Sequence, residues 1–186
     1  MQNNSESKKL YSFDTSKDKK LMFYVNLTEA VVGAVLLLIG CKIVPFKEMY
    51  NVSGLTKFMW RSVALVLCMA ACLALHEMIH IIAVKHFTGE SAEKGFDKFY
   101  PYVGSKEELN KKNYLRISLA PIVIIDVFLL ILLAIVPRSW FWLVYITLTM
   151  HVSGTVGDIY CAYKIISEKN GITIIDNGKA VEIWLE

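Results

Sequence analysis

The chain has 186 residues, enough for one domain or one compact bundle. Hydrophobic residues make up 55% of it and charged residues only 20%, a balance that leans towards membrane proteins. A net charge of +3, with no aromatic-interleaved basic patch, argues against nucleic acid as a partner.

Residues 1–20 are polar, carry five lysines and offer little to bury, which predicts a disordered or loosely attached cytoplasmic tail. The first apolar segment follows at about 21–44 and stops before Pro45. Within it Leu38-Ile39-Gly40-Cys41 has the form of a lipoprotein cleavage box, but the long lead-in and the polar Asn26 and Glu29 speak against that processing. A second segment covers about 58–87. A charged loop, 88–114, comes next, punctuated by Gly89, Gly95, Pro101 and Gly104. Its Ser105-Lys106-Glu107-Glu108 stretch reads as the start of a helix over Lys106 to Tyr114, since carboxylates suit a helix N-terminus. A third segment covers about 115–136, with Pro121 near its start, and a fourth about 140–166, with Trp140 and Trp142 as interfacial anchors. Each meets the length of about twenty apolar residues that a helical span needs. The tail, 167–186, alternates around Asp176-Asn177-Gly178 and reads as a short hairpin. The expected fold is an all-α membrane bundle of about four transmembrane helices, 21–166, with a C-terminal β-hairpin.

Four cysteines (Cys41, Cys68, Cys72, Cys161) lie in or at the ends of these apolar segments, with neither zinc-finger nor secreted-disulfide spacing. They read as buried free thiols. Lysine and arginine set the orientation. With the N-terminus inside, the cytoplasm receives Lys8, Lys9, Lys17, Lys19 and Lys20 from the tail and Lys94, Lys98, Lys106, Lys111, Lys112 and Arg116 from the loop. Lys164, Lys169 and Lys179 fall on the same side, whereas only Lys47, Lys57, Arg61 and Arg138 fall opposite. The bias places both termini in the cytoplasm.

The second segment contains His76-Glu77-Met78-Ile79-His80, an H-E-x-x-H motif. On a helix His76 and His80 share a face and reach one metal ion, while Glu77 stands about 100° round the helix, where a general base acting on water belongs. Three ionisable groups in one membrane helix need a reason to be there. Rise per residue places His76 roughly 14 Å, His80 roughly 8 Å and Asp158 of the fourth segment roughly 9 Å below the cytoplasmic edge. Two histidines and a carboxylate leave a tetrahedral zinc one open position, as in catalytic sites. Asp126 of the third segment, at roughly 15 Å, competes as third ligand and otherwise is an outer-shell partner or proton path. Glu29 lies at a similar level and orients a histidine, lines a water channel or snorkels. His151 stands four and seven residues before Thr155 and Asp158; it contacts a substrate oxyanion or bonds a neighbouring carbonyl, with Thr155 beside it.

HEMIH in a membrane helix, followed by Ser153-Gly154-Thr155-Val156-Gly157-Asp158-Ile159-Tyr160 in another, resembles the site-2-type intramembrane zinc proteases. More closely, the chain from the second segment onward, with Leu119-Ala120-Pro121 and Asp176-Asn177-Gly178, resembles a family of small bacterial membrane proteins, the putative zincin peptidases. The resemblance implies His76, His80 and Asp158 as zinc ligands, Glu77 as catalytic base, and a membrane-protein or peptide substrate in a bacterial cell membrane. The chain departs from the pattern at His151, where asparagine is expected. A metal carrier, a degenerate protease and a partner-binding membrane protein are the alternative functions.

Overall fold

The computed structural model describes residues 8–14, 17–50, 54–97, 100–105, 107–178 and 180–185. Their contacts divide the chain into two units: 1–24, 77–120 and 157–186 form one, and 25–76 and 121–156 the other.

The first unit is built on a sheet. Strands β1 (Lys8–Asp14), β4 (Leu109–Asn110), β5 (Ile172–Asp176) and β6 (Ala180–Leu185) lie in the order β1-β6-β5-β4, every pairing antiparallel. Strands β2 (Glu93–Asp97) and β3 (Tyr100–Gly104) form a separate hairpin. β5 and β6 alternate as a half-buried sheet requires, sending Ile172, Ile174, Val181 and Ile183 inward. These meet Ala83 and Val84 of helix α3 (Leu55–Thr88), Tyr114 and Ile117 of α4 (Lys111–Pro121), and Ile165 of α7 (Val156–Ile166) in one core.

The β5–β6 connection is the hairpin expected from Asp176-Asn177-Gly178. Gly178 adopts a φ of 78°, which favours glycine. Its N–H donates to Asp176 Oδ1 at 2.8 Å, and the Ala180 N–H donates to Asn177 Oδ1 at 2.9 Å. β3 passes against this turn: the Ser105 N–H donates to the Asp176 carbonyl at 2.7 Å, and a Cβ on Gly104 would collide with the Asn177–Gly178 backbone.

Three sequence expectations need correction here. Within the supposedly disordered tail, residues 8–14 form β1, because Tyr11 and Phe13 pack on the core and β6 offers an edge to pair with. Burial first, then a bond donated by Tyr11 Oη to Glu168 Oε1 at 2.6 Å, pushes the Tyr11 phenol up to about 12. The loop 88–114 holds strands β2, β3 and β4. The helix expected from Lys106 begins at Lys111, where Asn110 Oδ1 accepts the Asn113 N–H at 2.9 Å as an N-cap.

The second unit comprises α1 (Lys19–Ile43) from Val25 on, α2 (Lys47–Tyr50), α3 up to His76, a π-helical turn Ile122–Asp126, α5 (Val127–Ile135), a 3-10 turn Arg138–Trp140, and α6 (Phe141–Gly154). Lys19–Ile43, Leu55–Thr88 and Lys111–Ile135 are long and apolar enough to cross a membrane. Val31, Val35, Val66, Leu67, Phe128 and Ile131 are each about half exposed or more, an outward apolar surface suited to lipid. The fourth expected span, 140–166, is two helices, α6 and α7, meeting at Thr155. There the Thr155 hydroxyl donates to the Val152 carbonyl at 2.9 Å, and glycines flank the junction at positions 154 and 157.

Trp142 is buried rather than interfacial. With Val44, Phe141 and Tyr145 it forms the core of this unit, and its indole N–H donates to the Pro45 carbonyl at 3.3 Å. Trp140 is 42% exposed, under the Arg61 guanidinium. Of the cysteines only Cys72 is fully buried, and Cys41 is exposed. Gly40 admits the Tyr145 ring against α1, where Tyr145 Oη donates to the Leu36 carbonyl at 2.6 Å. Gly40→Ala puts a methyl group into that ring and should cost about 1–3 kcal/mol, measured as a lowered Tm of the detergent-purified protein.

Candidate metal centre

The HEMIH motif lies within the unbroken helix α3, so His76 and His80 stand one turn apart on one face. His80 Nε2 is 3.9 Å from Asp158 Oδ1 on α7. One donor atom from each of His76, His80 and Asp158 lies within 4.8 Å of the others, and all three residues are half-buried. Donors about 2 Å from a common tetrahedral ion stand a little over 3 Å apart, so a small inward movement would close this set on zinc. Two imidazoles and a carboxylate are ligands that zinc takes, and three of them leave one position open.

Each imidazole is held from its other nitrogen. His80 Nδ1 is 3.1 Å from the Ile117 carbonyl, which has no hydrogen to offer, so Nδ1–H donates and the neutral ring has its lone pair on Nε2. The helix leaves that carbonyl available: its regular partner would be the N–H four residues on, and residue 121 is proline. One residue further, the Ser118 hydroxyl donates to the Asp158 carbonyl at 3.2 Å, tying α4 to α7 beside the carboxylate. His76 Nδ1 faces His151 Nε2 at 3.1 Å, and His151 Nδ1 faces Asp126 Oδ1 at 2.6 Å.

Among the described residues the donor cluster holds Asp158, not Asp126, Glu29 or His151. Asp126 instead pairs with the buried His151. Glu77 is half-buried, adjacent to His76 in the chain and outside the cluster. Glu29 is half-buried on α1, and Thr155 spends its hydroxyl on the Val152 carbonyl at the end of α6. His86, near the end of α3, packs edge-on against Phe87.

Two contributors escape a motif-based reading. The Ile117 carbonyl is one, although Pro121 in an apolar helix is the signal that a carbonyl one turn earlier is free. Asp176 is the other: burial pushes its carboxyl up to about 6, and it feels the charges of His80 and Asp158. The Asp176-Asn177-Gly178 turn is visible in the sequence, but nothing there brings Asp176 towards His80 and Asp158.

Helices apolar enough to cross a membrane, joined to a His-His-Asp donor cluster, define the class: a helical membrane protein with a candidate zinc centre. Within that class the chain belongs to the family of putative zincin peptidases, whose model matches residues 69–173, more than half of its length. The matched stretch runs from before His76 to beyond Asp158 and supports a zinc metallopeptidase. Neither a curated protein nor a solved structure matches the chain.

Proposed function

We propose that the protein is an intramembrane zinc metallopeptidase of site-2 type, hydrolysing peptide bonds of membrane-embedded or membrane-proximal polypeptides near the cytoplasmic face. The observation that carries this reading is that His76 and His80, on a helix long and apolar enough to span a membrane, bring donor atoms within 4.8 Å of one another and of Asp158 on α7, with Glu77 next to His76 in the chain. Zinc held there would supply Lewis acidity, bringing the pKa of water towards neutrality and polarising the scissile carbonyl. Glu77 takes a proton from the attacking water and delivers it to the leaving amine as the C–N bond breaks. His80 is oriented by the Ile117 carbonyl throughout, and Asp158 provides the negative charge of the donor set. A helical substrate has to unwind locally, because its backbone carbonyls are otherwise satisfied.

The sheet supports four crossings and termini on one side. β1 precedes α1, β4 lies between α3 and α4, and β5 and β6 follow α7, yet all four strands belong to one sheet. A sheet on one side of the bilayer requires an even number of crossings between its strands. With α1 and α3 as two crossings before β4 and Lys111–Ile135 as one after it, α6 and α7 together would make the return. The lysine excess on the tail, the loop and the C-terminal segment makes that side the cytoplasm.

Zinc analysis of the detergent-purified full chain tests the proposal. One zinc per chain is expected in the wild type, with stoichiometric zinc lost in His80→Ala. Hydrolysis of a membrane-peptide library should stop on chelation and return with zinc. A wild type that holds no metal after zinc is supplied would overturn the enzyme reading.

A further inference from the structure

We propose that Asp126 and His151 are positioning residues of the metal centre, joined to His76 in a hydrogen-bonded chain that selects its tautomer. This rests on the reading of His76 as a ligand and assigns two further residues to the same site.

The direction of each bond follows from chemistry. Asp126 as a carboxylate has no hydrogen, so across the 2.6 Å contact His151 Nδ1–H donates to Asp126 Oδ1. A neutral imidazole with hydrogen on Nδ1 bears a lone pair on Nε2. Across the 3.1 Å contact that lone pair accepts, so the donor is His76 Nδ1–H. His76 then has its own lone pair on Nε2, the nitrogen that can ligate. Broken at Asp126, the chain loses its direction: His151 could carry hydrogen on Nε2 and donate to His76 Nδ1. That would place the hydrogen of His76 on Nε2 and block ligation through it.

The surroundings fit a fixed relay. His151 is 3% exposed, and its ring stands edge-on to that of His76, with centroids 5.2 Å apart. In so buried a place little water competes for its two nitrogens, and both have protein partners. Asp126 ends the π-helical turn, and an intramembrane carboxylate normally faces a partner. Here the partner is His151. The two ligand histidines are therefore set by different means, His80 by a backbone carbonyl and His76 by a side-chain relay.

The test uses the detergent-purified full chain with histidines labelled with 15N, as wild type, Asp126→Leu, His151→Leu and His151→Gln. In zinc-free protein, ring 15N shifts should report His76 as the Nδ1–H tautomer in the wild type and in His151→Gln, whose amide oxygen still accepts. Both leucine variants should move His76 towards Nε2–H. In competition with a chelator, both leucine variants should bind zinc about 10- to 100-fold more weakly, with most of the affinity restored in His151→Gln. Unchanged tautomer and affinity in His151→Leu, or a glutamine variant as weak as leucine, would overturn the relay. Complete loss of stoichiometric zinc in every His151 variant would also overturn it, marking His151 as a ligand. A wild type without zinc instead refutes the metal reading, and the zinc-free tautomer measurement still decides the relay.

Discussion

Glu77→Gln should lower peptide hydrolysis by about 10²- to 10⁴-fold while leaving one zinc per chain, because the substitution removes a proton acceptor and keeps size and shape. Its place explains the separation of the two effects. Glu77 follows His76 directly, so it lies about 100° round α3 from a ligand and outside the donor cluster. On the proposed reading it stands beside the metal and not on it. Glutamine still accepts and donates hydrogen bonds, so α3 should keep its packing. The measurement pairs metal content with turnover on one preparation. Full activity in the variant would place the base elsewhere, and loss of zinc would make Glu77 a ligand. A carrier would respond to this change only mildly.

The second large effect is expected at Asp158. Asp158→Ala removes the only carboxylate of the cluster and should weaken zinc by more than the roughly 10- to 100-fold of an outer-shell loss. Zinc at 100 times its dissociation constant stabilises the wild type by about 2.7 kcal/mol, and that zinc-dependent rise in Tm should vanish in the variant. Asp126→Ala is the control that separates the two carboxylates. It should still fill with zinc when the ion is in excess, because Asp126 acts two bonds away through His151. The opposite pattern, zinc lost with Asp126 and kept with Asp158, would move the third ligand to the third span.

What a sequence reader can recover here depends on how local the cause is. HEMIH is helical spacing in an apolar run, and both its spacing and its setting are visible in the letters. The hairpin at Asp176-Asn177-Gly178 is equally local, since φ near +78° at Gly178 is a property of one residue. β1 is different. Lys8–Asp14 is too polar to announce itself, and only pairing with β6, some 170 positions away, gives its backbone partners and gives Phe13 and Tyr11 a core to cover. Depth arithmetic likewise left Asp126 and Asp158 both within reach of the histidines. Facing directions separate them: Asp126 turns to His151 and Asp158 to His80, and depth along a span says nothing of rotation about it. The division of residues 140–166 into α6 and α7 also escaped hydropathy, which averages over the Thr155 junction.

The π-helical turn at Ile122–Asp126 holds slack in the length of the chain. Such a turn is an α-helix carrying one residue more than its hydrogen-bond ladder needs. Removing one of Ile122, Val123, Ile124 or Ile125 would let the helix close into regular α geometry, and the faces before and after the turn would keep their relation. Swaps among apolar residues in this turn should also be well tolerated, since Val123 and Ile124 are more than half exposed. A deletion in the regular ladder of α5 is different. Everything beyond it would swing by about 100°, although no residue in contact had been substituted. Length is negotiable in this one turn and fixed in the helix that follows it.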